Sequence, residues 1–265
     1  MKLSQERARD DEHWQLLASR ARSFRWASAF LSPTQRSRVA ALSAFCRAVD
    51  DLADAHWVTP ESRQDLTLLE AALAAERRGD GEALWPPQYL WFRELCLGSR
   101  IDFAVVQELL RGMSSDLGLV RLGSDEELLR YCYRAAGTVG LMMCSVLGVR
   151  DPKALRHAVD LGIAMQLTNI SRDVLEDAQA QRVYLPADRL ASHGVDAEQL
   201  VRGEADPKSL SLVVDEVLSM ADDYYRSGEQ GIRFLPLRAR WAILVASRLY
   251  RGIGHRLRRR YQSNP

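Results

Sequence analysis

No stretch of this 265-residue chain holds the ~20 consecutive apolar residues that a membrane span needs, although hydrophobic residues make up 47% of it. The opening residues, MKLSQERARDDEHW, have no apolar core of the kind a secretion signal carries. A cytoplasmic protein is expected. Cysteine is scarce: Cys46, Cys96, Cys132 and Cys144, with no CxxC spacing among them. Each falls inside a helical pattern, so they read as buried reduced thiols, not as a disulfide or zinc framework. The five histidines are scattered, with neither an HD dipeptide nor HExxH, which sets aside those metal-hydrolase chemistries. Neither GxGxxG nor a glycine-rich phosphate loop is present, so no dinucleotide fold is indicated. Charge is nearly balanced, 36 basic against 35 acidic side chains. No nucleic-acid partner is indicated, and the six tryptophans read as core or rim residues, not as a base-stacking platform.

Convincing runs of alternating β-branched residues are also missing. What is present is helical periodicity almost throughout. Helices are expected over about 5–28, 35–55, 61–78, 87–97, 101–112, 125–148, 153–178, 208–229 and 236–260. Ser32-Pro33 and Asp151-Pro152 open two of them, and Ser124 with Glu127 fits a capping box. Gly79-Asp80-Gly81, Pro86-Pro87, Gly203 and Asp206-Pro207 punctuate the breaks. Composition does not shift along the chain, so residues 1–265 are expected to form one all-α domain, a helical bundle around a central cavity.

Two acidic clusters stand out. FCRAVDDLAD places Arg47, Asp50, Asp51 and Asp54 within two turns and in one sector of a helix, with Ser43 in the same sector. Three carboxylates so close repel one another, and Arg47 offsets only part of that. Acidic triplets are common on solvated helix faces, but Val39, Leu42, Phe45, Val49 and Leu52, together with Ala40, Ala41, Ala44, Ala48 and Ala53, make this helix greasy elsewhere. Its acidic face is therefore expected to line an internal cavity.

The second cluster lies in LGIAMQLTNISRDVLEDAQAQRVYLP. Gln166, Asn169, Asp173 and Asp177 fall on one narrow stripe of an apolar helix. A polar seam satisfied by neighbouring helices accounts for that stripe as well as a ligand site does. Two such clusters in one chain favour the ligand. Facing helices bearing aspartates at i and i+4 could hold several Mg²⁺ ions, and the metals would bridge the carboxylates to a diphosphate.

At this point the chain resembles the squalene and phytoene synthases. ARSFRWASAFLSP, AFCRAVDDLAD, LLRYCYRAAGTVGLMMCSVLG and QLTNISRDVLEDAQAQRVYLP are similar to that family's ordered segments, from about Arg22 to Tyr250. The resemblance implies the all-helical class I isoprenoid synthase fold and a prenyltransferase dependent on Mg²⁺, or on Mn²⁺ in its place. It implies that Asp50, Asp51 and Asp54 hold metal on one wall, and Asp173, Asp177 and Asn169 on the other. It gives Arg47 and Arg172 diphosphate contacts, places Gln166 at the reaction centre, and puts Tyr131, Tyr184 and Tyr250 near the diphosphate and Phe24 beside a prenyl chain. Helix geometry sets Arg172 roughly 100° from the aspartate stripe, so it must reach around to take part. The implied reaction joins two prenyl diphosphates head to head through a cyclopropyl diphosphate. The expected substrate is geranylgeranyl diphosphate, giving phytoene. Farnesyl diphosphate, giving presqualene diphosphate, dehydrosqualene or squalene, is the alternative. NADPH serves only a squalene-type ending and is not expected.

The departures from the family pattern bear on the product. Ser43 stands where many relatives carry tyrosine, and Ser171 where an aliphatic residue is usual. The chain stops soon after Arg260, without a terminal segment that carries another arginine in many relatives. Head-to-tail elongation, which DDLAD would suit, needs a second DDxxD that DVLED does not supply. An inactive helical scaffold is the reading from a different class. Ala135 to Gly140 would leave room for a prenyl chain, but close helix packing explains those small residues equally well. The arginines of RLYRGIGHRLRRR read as a solvated helix end. Contact with an anionic inner-membrane surface, useful for releasing a greasy product, is the sharper reading. Oligomeric state is not legible.

Overall fold

The computed structural model describes residues 31–53, 59–80 and 83–263. The expected helix over 5–28, together with Phe24 and Asp54, lies outside them. The described helices are α1 (Pro33–Ala53), α2 (Pro60–Arg78), α3 (Leu90–Ser99), α4 (Phe103–Ser115), α5 (Asp125–Cys132), α6 (Thr138–Leu147), α7 (Pro152–Gln179), α8 (Ala187–Ser192), α9 (Ala197–Val201), α10 (Pro207–Gly231) and α11 (Leu237–Ser263). Their starts follow local chemistry. Ser32 and Gln35 exchange side-chain and backbone hydrogen bonds as a capping box at α1. The Asp151 and Asp206 carboxylates accept from Lys153 N and Ser209 N, each at a helix whose first residue is proline.

The expected continuous helix over 125–148 is interrupted. Tyr133–Gly137 forms a π-helical turn between α5 and α6. Such a turn widens the backbone spiral locally and re-aims the side chains on either side of it. The sequence pattern also passed over α8 and α9, which are too short to display a 3.6-residue period, and a two-residue parallel ladder. In that ladder β1 (Val120–Arg121) pairs with β2 (Arg182–Val183).

Two apolar clusters hold the bundle. Leu42, Phe45 and Val49 of α1 meet Leu69 and Leu73 of α2, Phe92 of α3 and Leu109 of α4, all essentially without exposure. Around α7, Ala164, Leu167 and Ile170 pack with Leu128 of α5 and Val213, Val214 and Val217 of α10. Each such large apolar side chain contributes roughly 1.5–3 kcal/mol by leaving water. Helices α6 and α7 approach at backbone distance. A Cβ on Gly140 would stand 2.3 Å from the Ala158 carbonyl oxygen, and one on Gly162 2.3 Å from that of Ala136. The small-residue stretch thus serves close packing, and it also borders the cavities of the site.

The tail corrects the solvated-end expectation. Arg251 donates to Asp222 at 2.8 Å, and Arg258 to Asp222 at 2.6 Å and to Asp215 at 2.7 Å. These two arginines are mostly buried and clamp α11 to α10, whereas Arg248, Arg256 and Arg259 are exposed.

Gly162→Ala is expected to destabilise the fold by about 1–3 kcal/mol through overpacking against a backbone that cannot yield. Gly252→Ala, where a Cβ meets open space, should leave stability unchanged or slightly raised. Thermal unfolding of the two variants checks this, and equal melting temperatures would contradict it.

Candidate active site

Helices α1 and α7 converge on a cavity of about 630 Å³. The stripe expected on α7 is realised: Gln166, Asn169, Asp173 and Asp177 all line it. From α1 come Ser43, Arg47 and Asp50. Ser43 turns its hydroxyl back onto the Val39 carbonyl at 2.9 Å. The two polar stripes therefore share one space, the arrangement that two such clusters in one chain favoured.

Arg47 donates to Asp50 at 3.2 Å and pairs with Asp51 at 2.6 Å. Asp51 does not line the cavity, and its pairing with Arg47 is the contact the structure shows for it. Arg172 does reach around the helix: its guanidinium grips the Asp173 carboxylate at 2.7 and 2.5 Å and lines the same cavity. The neighbouring carboxylate raises its pKa. Asp177 is pushed up to about 7, first by burial and then by the charge of Asp173.

The donor set suits a hard divalent cation. Every ligand candidate on the two walls offers oxygen, and the Asn169 side-chain oxygen is buried in the wall without a hydrogen-bond partner. Its amide nitrogen is turned to Gln166 Oε1 at 3.5 Å. Among the described residues no three acidic, histidine or cysteine side chains converge tightly enough to cage a metal alone. The carboxylates are instead divided between opposite walls, an arrangement that leaves coordination positions for another oxygen-rich ligand.

Between those walls sits a carboxylate that periodicity did not flag. Asp116 is buried and accepts from the hydroxyls of Tyr131 at 2.9 Å and Tyr184 at 2.7 Å. The two phenol rings stack with centroids 4.6 Å apart. Burial raises the Asp116 pKa to about 6 while the two hydroxyls pull it down, and the charge of Asp50 adds to the rise. The β1–β2 ladder explains the meeting. It ties the loop after α4 to the segment after α7, and Gln181, with φ of 62°, turns the chain into it. A lone aspartate just past a helix end carries no pattern, and its tyrosine partners lie 15 and 68 residues away.

A second, apolar cavity of about 220 Å³ adjoins the first. Val139, Met143, Gln166, Asn169 and Tyr250 border both. Beyond them its walls are mostly aliphatic or glycine, among them Ala136 and Gly140, Leu161 and Gly162, Leu235 and Ile243, with Cys144 and His157 the exceptions. Tyr250 thus stands where the polar chamber passes into the apolar one. All four cysteines are free; Cys46 is half-buried at the cavity, where burial and then Asp50 push its thiol up to about 12, and the other three are buried.

The squalene/phytoene synthase family model matches residues 17–263. A 15-cis-phytoene synthase of Enterobacter agglomerans is 40% identical over 245 residues, covering 88% of this chain and 81% of that protein. A phytoene synthase of Pseudescherichia vulneris is 36% identical and covers 92% of this chain and 81% of its own. Among solved structures, a ligand-bound dehydrosqualene synthase superposes with a TM-score of 0.79 at 24% identity, over 99% of this chain and 98% of the other. A squalene synthase from Alicyclobacillus acidocaldarius superposes with a TM-score of 0.82 at 21% identity, over 98% of this chain and 96% of the other. These two structures share the fold of this chain.

The raised pKa values give a pH dependence with a definite sign. The folded chain holds protons on Asp116 and Asp177 that the unfolded chain releases near pH 4. Stability in the absence of divalent metal should therefore fall as pH rises from about 4 to about 7, then level off. Asp177→Asn should flatten that fall. Melting curves in chelator across this range check it, and an identical slope in the variant would contradict the electrostatic picture.

Proposed function

Because this chain belongs to the squalene/phytoene synthase family, we propose that it condenses two geranylgeranyl diphosphates head to head into phytoene, releasing diphosphate. The observation that carries this reading is a chamber with acid-bearing walls opening directly into an apolar one, with Gln166, Asn169 and Tyr250 at the junction. Such a space accepts a polyanionic head and a hydrocarbon tail together.

We assign Asp50, Asp173, Asp177 and Asn169 to Mg²⁺, with Asp54 the expected fourth carboxylate. Bound there, Mg²⁺ would neutralise charge on the diphosphate and so ease its departure from an allylic carbon. The chain's own residues do the rest. Arg47 and Arg172 each sit beside an aspartate and can turn their guanidinium groups to phosphate oxygens once those aspartates are otherwise engaged. Tyr131, held by Asp116, gives the diphosphate a fixed wall. The aliphatic lining excludes water from the allylic cation, which a double bond of the second substrate attacks. That attack leaves a cation that closes to the cyclopropyl diphosphate by shedding a proton; the cyclopropyl diphosphate then loses its diphosphate in turn, rearranges, and sheds a second proton. That ending consumes no NADPH.

Purified protein incubated with geranylgeranyl diphosphate and Mg²⁺ is expected to yield a 40-carbon hydrocarbon by mass spectrometry, with or without NADPH. A longer linear diphosphate, or no turnover of either prenyl diphosphate, would contradict the reading. A 30-carbon product from farnesyl diphosphate alone would correct the substrate. Asp50→Ala and Asp173→Ala are expected to lower turnover at least ~100-fold, the scale of losing one preorganised electrostatic contact. Their unfolding transitions should stay cooperative.

The hydrocarbon product needs an apolar destination. We propose peripheral contact with an anionic membrane through α11, where Leu237 and Trp241 are 70% and 56% exposed. Exposed Arg238 stands beside them, and exposed Arg248 and Arg256 follow about two and about four turns further along that helix. Among the described residues no helix is long and apolar enough to cross a membrane. Co-sedimentation with phosphatidylglycerol vesicles, weakened by Trp241→Glu and absent with phosphatidylcholine, is the expected result. Equal binding of variant and parent would remove the assignment.

A further inference from the structure

The apolar cavity is not walled by aliphatic residues and glycine alone. His157 lines it, one face of α7 away from the diphosphate chamber. Its ring stacks on Phe234 with centroids 6.2 Å apart and planes 18° from parallel. Its Nδ1 lies 3.2 Å from the Ser227 hydroxyl, and that hydroxyl donates to Asp160. A serine hydroxyl has one proton to give. With it committed to Asp160, the Nδ1–H of His157 is the donor to Ser227. On the other side Gly231 packs so close that a Cβ there would stand 2.4 Å from the His157 Cβ. The ring is thus held by a stack and a hydrogen bond, both of which it must break to swing aside, while Gly231 closes against its Cβ.

Position along α7 gives the cavity a scale. Asn169, Gln166, Gly162 and His157 line it in turn. From Asn169 to His157 is twelve residues, roughly 18 Å at the helical rise, and from Asp173 roughly 24 Å. That separation puts His157 out of reach of atoms reacting beside the diphosphate, so a role in proton transfer there is excluded. It also matches the reach of a chain of a few isoprene units laid along the helix. A histidine suits this place because its ring can wall off hydrocarbon while its polar edge is satisfied outside the cavity.

We propose that His157 is the floor of the prenyl channel and sets the longest chain the enzyme accepts. This rests on the synthase reading of the site. The Ser227–Asp160 pair is a positioning device that keeps the floor in place. Ala154, buried at the same end of the cavity, marks the space left over.

The test uses thiolodiphosphate analogues with 15-, 20- and 25-carbon chains, their affinities measured by calorimetry on the full chain with Mg²⁺. The parent should bind the 20-carbon analogue at least about tenfold more tightly than the 25-carbon one. His157→Ala should erase most of that gap while leaving the 15-carbon affinity within a few-fold. His157→Phe, which keeps a ring at the floor, should restore it. Ala154→Phe should act in the opposite direction, weakening the 20-carbon analogue about tenfold against the 15-carbon one. If His157→Ala and Ala154→Phe both keep the parent's ratios, the floor assignment is overturned. Failure of the synthase reading shows separately, as no 40-carbon hydrocarbon from the parent enzyme, and the binding ratios still decide the role of His157.

Discussion

Carboxylates that face one another across a water-poor gap repel, and this repulsion shapes the whole site. Asp50 on α1 and Asp173 and Asp177 on α7 share one cavity, with Asp116 buried between them. Three arginines relieve part of the strain: Arg47 on one wall, Arg172 on the other, and Arg182, which lines the cavity and whose charge lowers the pKa of both Asp116 and Asp177. The remainder shows in the raised pKa values of Asp116 and Asp177, which record burial and neighbouring negative charge together. A polyanion would add to the repulsion, so on the proposed reading it enters together with cations. The proposed occupant is therefore a joint one, metal with diphosphate.

The scaffold keeps that arrangement from collapsing. Helix α7 is the shared element, packed against α5, α6, α10 and α11. Its apolar faces are buried on several sides, so its polar stripe can only face the cavity. The backbone approach of α6 at Gly140 and Gly162 fixes the spacing that leaves an apolar chamber behind the polar one. The stacked tyrosines on Asp116 and the two-residue ladder beside them lock the loop after α4 against the end of α7. Breaking that tie would leave a buried carboxylate without donors, which typically costs about 1–3 kcal/mol or more.

Much of this was legible in residue order, because helices report their faces through spacing. The stripe of Gln166, Asn169, Asp173 and Asp177 was readable from intervals of 3, 4 and 4, and it lines the cavity as read. Asp50 followed in the same way. Arg172 was correctly set off the stripe, but its return to Asp173 depends on side-chain reach that spacing does not encode. Asp116 was invisible because its partners are tertiary. The Tyr133–Gly137 π turn was hidden because its residues suit an α-helix equally well. Arg251 and Arg258 were misjudged because a run of arginines says nothing about the acids on the helix beside it. His157, one scattered histidine among five, takes its meaning from the apolar cavity it lines, which spacing does not reveal.

The central claim is that the two walls bind cation and diphosphate only together. Calorimetric titration with inorganic diphosphate tests it directly, on the unmodified chain, in chelator and then in saturating Mg²⁺. The account predicts no detectable heat of binding in chelator and saturable binding once the metal is present. Equal binding in both conditions would mean that the cavity arginines Arg47, Arg172 and Arg182 suffice to hold the anion, and would contradict the metal-bridging role of the facing aspartates.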